Sequence, residues 1–302
     1  MKQAAERLKQ AVGAGIFLTD EPMSRHTTFR TGGPADIYIE PSGVEELKQV
    51  LDICREENVA YTIIGNGSNL LVGDGGYRGV LISFGKPFAQ VTIEGAQVRT
   101  GAGALLSAVA KQVLNASLTG FEFAAGIPGT IGGAVVMNAG AYGGELCQVL
   151  REATVLTPEG EVKTLPAEEL ELGYRTSCVQ KNGYIVLEAV LQLQPGNADD
   201  IRAVMDDLAS KRREKQPLEY PSAGSTFKRP EGYFAGRLIQ DAGLRGFRVG
   251  GAQVSEKHCG FVINRDHATS ADILSLCRQV QEKVKAQSGV KLELEVKLVG
   301  EF

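Results

Sequence analysis

The chain comprises 302 residues, 43% hydrophobic and 23% charged, long enough to bury a substantial core and to form two domains of ordinary size. Its formal net charge of −4 provides no basic field to draw in a phosphate backbone, so nucleic acid is excluded as an expected partner and any anion must meet a local basic cluster. The five cysteines, Cys54, Cys147, Cys178, Cys259 and Cys277, are odd in number, scattered and free of C-x-x-C spacing, which excludes a disulfide framework and a zinc site and fits a reducing, cytoplasmic compartment.

Residues 1–12 interleave Lys2, Glu6, Arg7 and Lys9 with apolar side chains, predicting an amphipathic helix and not a signal peptide. Ser42-Gly-Val-Glu45 has the form of a capping box, and Val44, Leu47, Val50, Leu51 and Cys54 follow at helical spacing, giving a helix that ends near Asn58. A short strand over 61–64 runs into residues 65–79, where six glycines in fifteen positions predict irregular backbone with exposed N–H groups. Strands over 90–94 and 97–100 precede a helix with Leu105, Leu106, Val109, Val113 and Leu114 on its apolar side. A second small-residue stretch, GFEFAAGIPGTIGGAVVMNAGAYGG, occupies 120–144. It is poor in charge but broken by glycines and Pro128, so it cannot cross a bilayer as a helix, and no membrane insertion is expected. A hairpin turning at Pro158-Glu-Gly160 and a strand over 184–193 follow.

Composition shifts at 194–200, which places a domain boundary there. The next helix carries Ile201, Val204, Met205 and Leu208 and ends in Lys211-Arg-Arg-Glu-Lys215 before Pro217, with positive charge at its C-terminus. A helix with Ile273, Cys277, Val280 and Val284 leads to a final strand over 291–299. There Leu292, Leu294, Val296 and Leu298 lie on one face and Lys291, Glu293, Glu295 and Lys297 on the other. The three histidines, His26, His258 and His267, are too dispersed for a metal site, and none is expected.

The strand followed by G-x-G at residue 65 lacks the third glycine of a dinucleotide fingerprint, because Leu70 occupies that position, and Gly73, Gly75 and Gly76 block the helix that should follow. No G-K-[ST] follows either stretch, which excludes a P-loop. What remains is a backbone-amide nest able to hold a diphosphate. Tight turns use the same residues; it is the pair of long stretches, each after β-rich sequence, that favours a nucleotide cofactor.

The segments His26-Thr-Thr-Phe-Arg-Thr-Gly-Gly-Pro-Ala-Asp36, Gly65-Asn-Gly-Ser-Asn-Leu-Leu71, Gly126-Ile-Pro-Gly-Thr-Ile-Gly-Gly133 and Asn138-Ala-Gly-Ala-Tyr-Gly143 carry a family resemblance. So do Tyr174-Arg-Thr176, Pro221-Ser-Ala-Gly-Ser-Thr-Phe-Lys-Arg-Pro230, Gly250-Gly-Ala252 and Leu292-Glu-Leu-Glu-Val296. In this order, and over nearly the whole chain, they resemble the UDP-N-acetylenolpyruvoylglucosamine reductases. The resemblance implies an α+β architecture of the vanillyl-alcohol-oxidase/PCMH-like FAD-binding type. An FAD-binding domain would span 1–200 in lobes of about 1–86 and 87–200, beside a smaller α+β substrate-binding domain over 201–302 whose last strand returns to the first lobe.

The same resemblance implies a reaction: NADPH reduces FAD, which reduces the enolpyruvyl ether of a UDP-sugar to UDP-N-acetylmuramate in peptidoglycan precursor synthesis. Such chemistry needs a polarised carboxylate and a proton for the carbon that becomes carbanionic. Carried over by motif, Arg175 faces the substrate carboxylate, Ser225 donates the proton and Glu295 assists Arg175. Tyr174, Lys215, Asn138 and Lys228 would contact substrate. The cofactor would meet Gly65, Asn66, Gly67, Ser68, Asn69, Leu70, Gly126, Pro128, Gly129, Ile131, Gly132 and Gly133, noncovalently, since 66–79 holds neither His nor Cys. The passage from Pro230 to Ala235 lacks the lid insertion of longer members, and Arg229 stands where they have Asn. A monomer or weak oligomer is expected. The rival readings are an FAD oxidase of the same fold acting on a sugar or alcohol, and a noncatalytic nucleotide-binding protein.

Overall fold

The structure, a computed structural model, describes residues 2–302; of the helix predicted over 1–12, Met1 lies outside the described residues. The architecture is α+β and divides into two compact units. The first contains the residues up to Leu18, Ile37–Asn66 and Val80–Lys211, and the second contains Thr19–Asp36, Gly67–Gly79 and Arg212–Phe302. The sequence expectation of one boundary near residue 200 is therefore corrected. The chain passes into the second unit for good only after Lys211, and two early segments belong to it as well. Among the described residues no helix is long and apolar enough to cross a membrane.

Two layers of sheet and helix build the first unit. Its helix Lys2–Ala11 buries Ala4 and Leu8, and Val44–Glu56 buries Leu47, Val50, Leu51 and Cys54 at the predicted spacing. Leu8 and the four side chains of the second helix share a core with Ile37, Ile39, Val80 and Ile82, the last two on a strand that pairs in parallel with Tyr61–Ile64. The capping box expected of Ser42 and Glu45 does not form. The N-cap is Gly43, with no side-chain cap. Its neighbour Glu46, only 9% exposed, accepts the N–H groups of Ser42 and Gly13 instead. Burial pushes the Glu46 carboxyl up, but the Ser42, Gly13 and Gly15 hydrogen bonds outweigh it and hold it below its ordinary range.

The second layer is a five-stranded antiparallel sheet in the order Val162–Pro166, Leu150–Leu156, Ile185–Gln192, Gln97–Gly101, Val91–Glu94. Its hairpin over Pro158 and Gly160 forms as expected. The helices Leu106–Asn115 and Ile131–Met137 cover the sheet, and Val98, Val109, Val113, Ile131, Val135, Ala189 and Leu191 make the core between them. Leu105 is the N-cap of the first helix and stays 41% exposed. The helix Ala198–Lys215 buries only Ile201, so its expected apolar face is largely solvated.

In the second unit the helix Ser270–Ser288 starts from a capping box between Thr269 and Asp272 and ends on Gly289 at φ 74, a left-handed turn suited to glycine. Its buried face, Ile273, Leu276, Cys277, Val280 and Val284, packs with Phe227, Ile239, Val254 and Val262. Burial pushes the Cys277 thiol up to about 12, leaving an inert apolar side chain. A three-stranded antiparallel sheet, Arg248–Val249, Ala252–Val254 and Val262–Asn264, lies in the same unit.

The glycine-rich stretch holds more regular structure than its composition suggests. Leu70–Val72 is a strand paired in parallel with Lys297–Val299. Beyond it, Gly73 and Gly75 donate to the carbonyls of Val299 and Glu301, and Glu301 donates to Gly76. A Cβ on Gly73 would stand 1.8 Å from the Glu301 carbonyl oxygen, so only glycine permits this approach. Between them Asp74 accepts the N–H groups of Ser270 and Ala271, both at 2.8 Å, which caps the long helix with negative charge. The single strand expected over 291–299 is corrected: regular pairing covers Lys297–Val299, with an isolated bridge from Leu294 to Phe227. Leu292 and Val296 are buried as alternation requires, but Leu298 is 45% exposed.

Candidate active site

Two irregular segments approach each other in the first unit because one residue has no side chain. A Cβ on Gly65 would lie 2.5 Å from Thr130 Oγ1, and the adjacent Asn66 Nδ2 donates to the Pro128 carbonyl at 2.9 Å. In the second stretch the N–H groups of Ile131 and Gly132 donate to Ala104 and Ala102, while Gly133 donates to the N-capping hydroxyl of Thr130 at 3.4 Å. Those amides are committed to the fold. Within 126–133, the amides that meet no protein acceptor among the described residues belong to Gly126, Gly129 and Thr130. Thr130 was missed in the sequence, although a threonine directly before a helical Ile-Gly-Gly is an N-cap signal.

The continuation of the first stretch, 67–71, lies in the second unit. Gly67 has φ 60, and a Cβ there would stand 1.9 Å from the His26 carbonyl oxygen. Its own carbonyl accepts the N–H of Thr28 at 3.3 Å. The N–H groups of Gly67, Ser68 and Asn69 have no protein acceptor among the described residues. Beside them, the buried hydroxyls of Thr28 and Thr31 make no hydrogen bond within the protein. Buried hydroxyls are rarely left so, and together with these amides they form a donor set suited to the phosphates and hydroxyls of a dinucleotide cofactor.

The same unit brings Ser225 and Glu295 together. Glu295 donates its N–H to the Thr226 carbonyl and Lys228 donates to Glu293, both at 2.9 Å. This backbone ladder, with the Phe227–Leu294 bridge at its centre, sets Ser225 beside the end that carries Glu295. Ser225 is exposed and Glu295 half-buried. The ladder is tied to the glycine stretch twice: Asn69 Nδ2 donates to the Glu295 carbonyl at 3.1 Å, and Lys297 donates to the Asn69 carbonyl at 2.9 Å. Lys228 reaches Glu293 at 3.1 Å. Lys215, the last residue of its helix, is exposed. Arg229 lies over the Phe234 ring at 4.0 Å.

Arg175 is carried by the first unit, on a tight turn closed by hydrogen bonds in both directions between Gly173 and Thr176, of 3.1 and 3.3 Å. It sits at φ 58, a left-handed conformation that costs a residue with a Cβ about 1–2 kcal/mol. Its guanidinium carbon is 5.2 Å from the centre of the Tyr174 ring, and Tyr174 is 52% exposed. Asn138, expected at the substrate, is 2% exposed. Its Nδ2 donates to the Gly173 carbonyl at 3.3 Å and to Glu145 Oε2 at 3.1 Å, and its Oδ1 accepts the Cys147 N–H at 2.9 Å.

Against known proteins, residues 35–166 match the FAD binding domain family, which places the chain among the α+β FAD-binding proteins. Residues 216–299 match the C-terminal domain of UDP-N-acetylenolpyruvoylglucosamine reductase. The reductase of that name from Agathobacter rectalis is 55% identical, over 100% of this chain and 98% of that protein. The one from Clostridium perfringens is 56% identical, over 93% and 92%. The crystal structure of the Thermus caldophilus enzyme superposes with a TM-score of 0.82 at 36% identity, over 94% of this chain and 98% of that one. The chain belongs to the UDP-N-acetylenolpyruvoylglucosamine reductase family.

Proposed function

We propose that the chain reduces UDP-N-acetyl-3-O-(1-carboxyvinyl)glucosamine to UDP-N-acetylmuramate, with FAD as cofactor and NADPH as reductant, in peptidoglycan precursor synthesis. The observation that carries the reading is the backbone ladder between 226–228 and 293–295, which holds the segment after Ser225 against the segment that carries Glu295, while Asn69 of the cofactor stretch donates to the Glu295 carbonyl. FAD, when bound, would supply the hydride chemistry between NADPH and the enolpyruvyl group.

The chain's own residues then have two tasks. Negative charge develops on the carbon bearing the carboxylate and spreads into that group. Arg175 offers it a planar fork of donors. The carbon must also take a proton, and Ser225 Oγ–H supplies it, because a carbanion is basic enough to deprotonate an alcohol. The hydroxyl recovers its proton from solvent. Glu295 sits on the same ladder and supports the guanidinium at the carboxylate, while Tyr174, Lys215 and Lys228 bind the rest of the substrate. The two stretches hold the cofactor without a covalent bond: Gly65, Asn66, Gly67, Ser68, Asn69 and Leu70 from one, Gly126, Pro128 and Gly129 from the other, while the amides of Ile131, Gly132 and Gly133 serve the fold and Ile131 is buried.

Anaerobic half-reactions test this. NADPH should bleach the flavin, the enolpyruvyl UDP-sugar should restore its absorbance, and air alone should do so slowly. Ser225→Ala should slow the second half-reaction by ~10² to 10⁴-fold and spare the first. Fast reoxidation by air with none by the UDP-sugar would mark an oxidase and sink the reading.

A further inference from the structure

The Arg175 turn is held from outside as well as from within. Its two internal hydrogen bonds, of 3.1 and 3.3 Å, close around the left-handed Arg175, and the Gly173 carbonyl takes a further bond of 3.3 Å from Asn138. A neighbouring helix supports it through Asn138. Asn138 ends the helix Ile131–Met137 in a left-handed conformation of its own, φ 41 and ψ 61, and that conformation belongs to a residue whose amide points back at the Gly173 carbonyl. Asparagine tolerates such a backbone better than other residues with a Cβ. Its remaining polar atoms are spoken for by Glu145 and the Cys147 N–H, so the amide has a single orientation in which every atom finds a complementary partner. Next to the turn, Ser177 Oγ donates to the Val136 carbonyl at 2.9 Å, fixing the chain that leaves the turn to the helix that carries Asn138.

We infer that Asn138 is a positioning residue for the reduction: buried away from the substrate, it fixes the turn that aims Arg175. The inference rests on the role assigned to Arg175. It converts the expectation of a direct substrate contact at Asn138 into one of orientation, since a side chain 2% exposed presents no atom to a ligand. Glu145 belongs to the same device, because its carboxylate accepts the second Nδ2 hydrogen and fixes which way the amide faces.

Asn138→Asp is the sharpest test. The shape, the left-handed backbone tolerance and the acceptor for Cys147 persist, but the donor to Gly173 is lost and a carboxylate oxygen faces both that carbonyl and Glu145. Displacing an aimed catalytic group by about 1 Å costs ~10²-fold, so kcat/KM for the enolpyruvyl substrate should fall by about that factor. Flavin content, and the rate of flavin reduction by NADPH, should hold. In an Arg175→Ala background the same change should cost nothing further, since nothing is left to aim. Asn138→Asp as active as the unaltered protein would overturn the inference, as would an equal added loss in the Arg175→Ala background. An unchanged kcat/KM in Arg175→Ala itself would instead remove the role of Arg175. Should Asn138→Asp lose flavin or fold poorly, Glu145→Leu, which removes the acceptor of the second Nδ2 hydrogen and frees the amide to turn, should show the same loss confined to the second half-reaction; full activity there overturns the inference.

Discussion

The two halves of the 65–79 stretch share a composition and do different things. In 65–69 the missing side chains let one backbone segment approach another and leave amides without protein acceptors. In 73–76 the missing side chains let backbone press against backbone, with every approach filled by the carbonyls of Val299, Glu301 and Pro34. Glycine makes close approach possible; what lies opposite decides whether the result is a binding surface or a seam of the fold.

The sharpest way to break that contrast is Gly73→Ala. Its Cβ would meet backbone that cannot move without unpairing Leu70–Val72 from Lys297–Val299. A loss of about 3 kcal/mol or more is expected, read as a fall of roughly 10 °C in the melting temperature. A stable Gly73→Ala protein would erase the seam. Asp74→Ala should cost about 1–2 kcal/mol, since two N–H groups at the start of Ser270–Ser288 lose their acceptor. It should leave the affinity for FAD unaltered in a flavin titration. Gly65→Ala sharpens the other side. The nearest atom belongs to the side chain of Thr130, which can turn away, so stability of the flavin-free protein should fall by less than about 1 kcal/mol. The dissociation constant for FAD should rise about tenfold; unchanged affinity would place the cofactor elsewhere.

Local patterns carried their own elements well. The helix Ser270–Ser288 buries the very residues its spacing marked, because one face of a helix packed on a core is set by periodicity alone. The hairpin at Pro158 follows from turn chemistry. What the sequence hid depends on partners far along the chain. Glu46, and not Glu45, is the anchor because Gly13 lies opposite it, and no spacing rule reaches that far. Leu298 alternates correctly yet stays exposed, since its strand is three residues long. At the site, motif resemblance marked Arg175, Ser225 and Glu295, but the burial of Asn138 was invisible: an asparagine among glycines looks the same in sequence whether it faces a ligand or a carbonyl. The second stretch also showed glycines without showing that its helical amides were committed.

The pairing of Leu70–Val72 with Lys297–Val299 bears on how the protein is made. During synthesis the early strand leaves the ribosome long before its partner exists, and meanwhile it offers an open edge next to apolar Leu71 and Val72. Closing so long a loop is slow and entropically costly, so the second unit should mature only after residues 297–299 have been made and are free to pair. Until then, chaperones that mask strand edges would govern the yield of active enzyme.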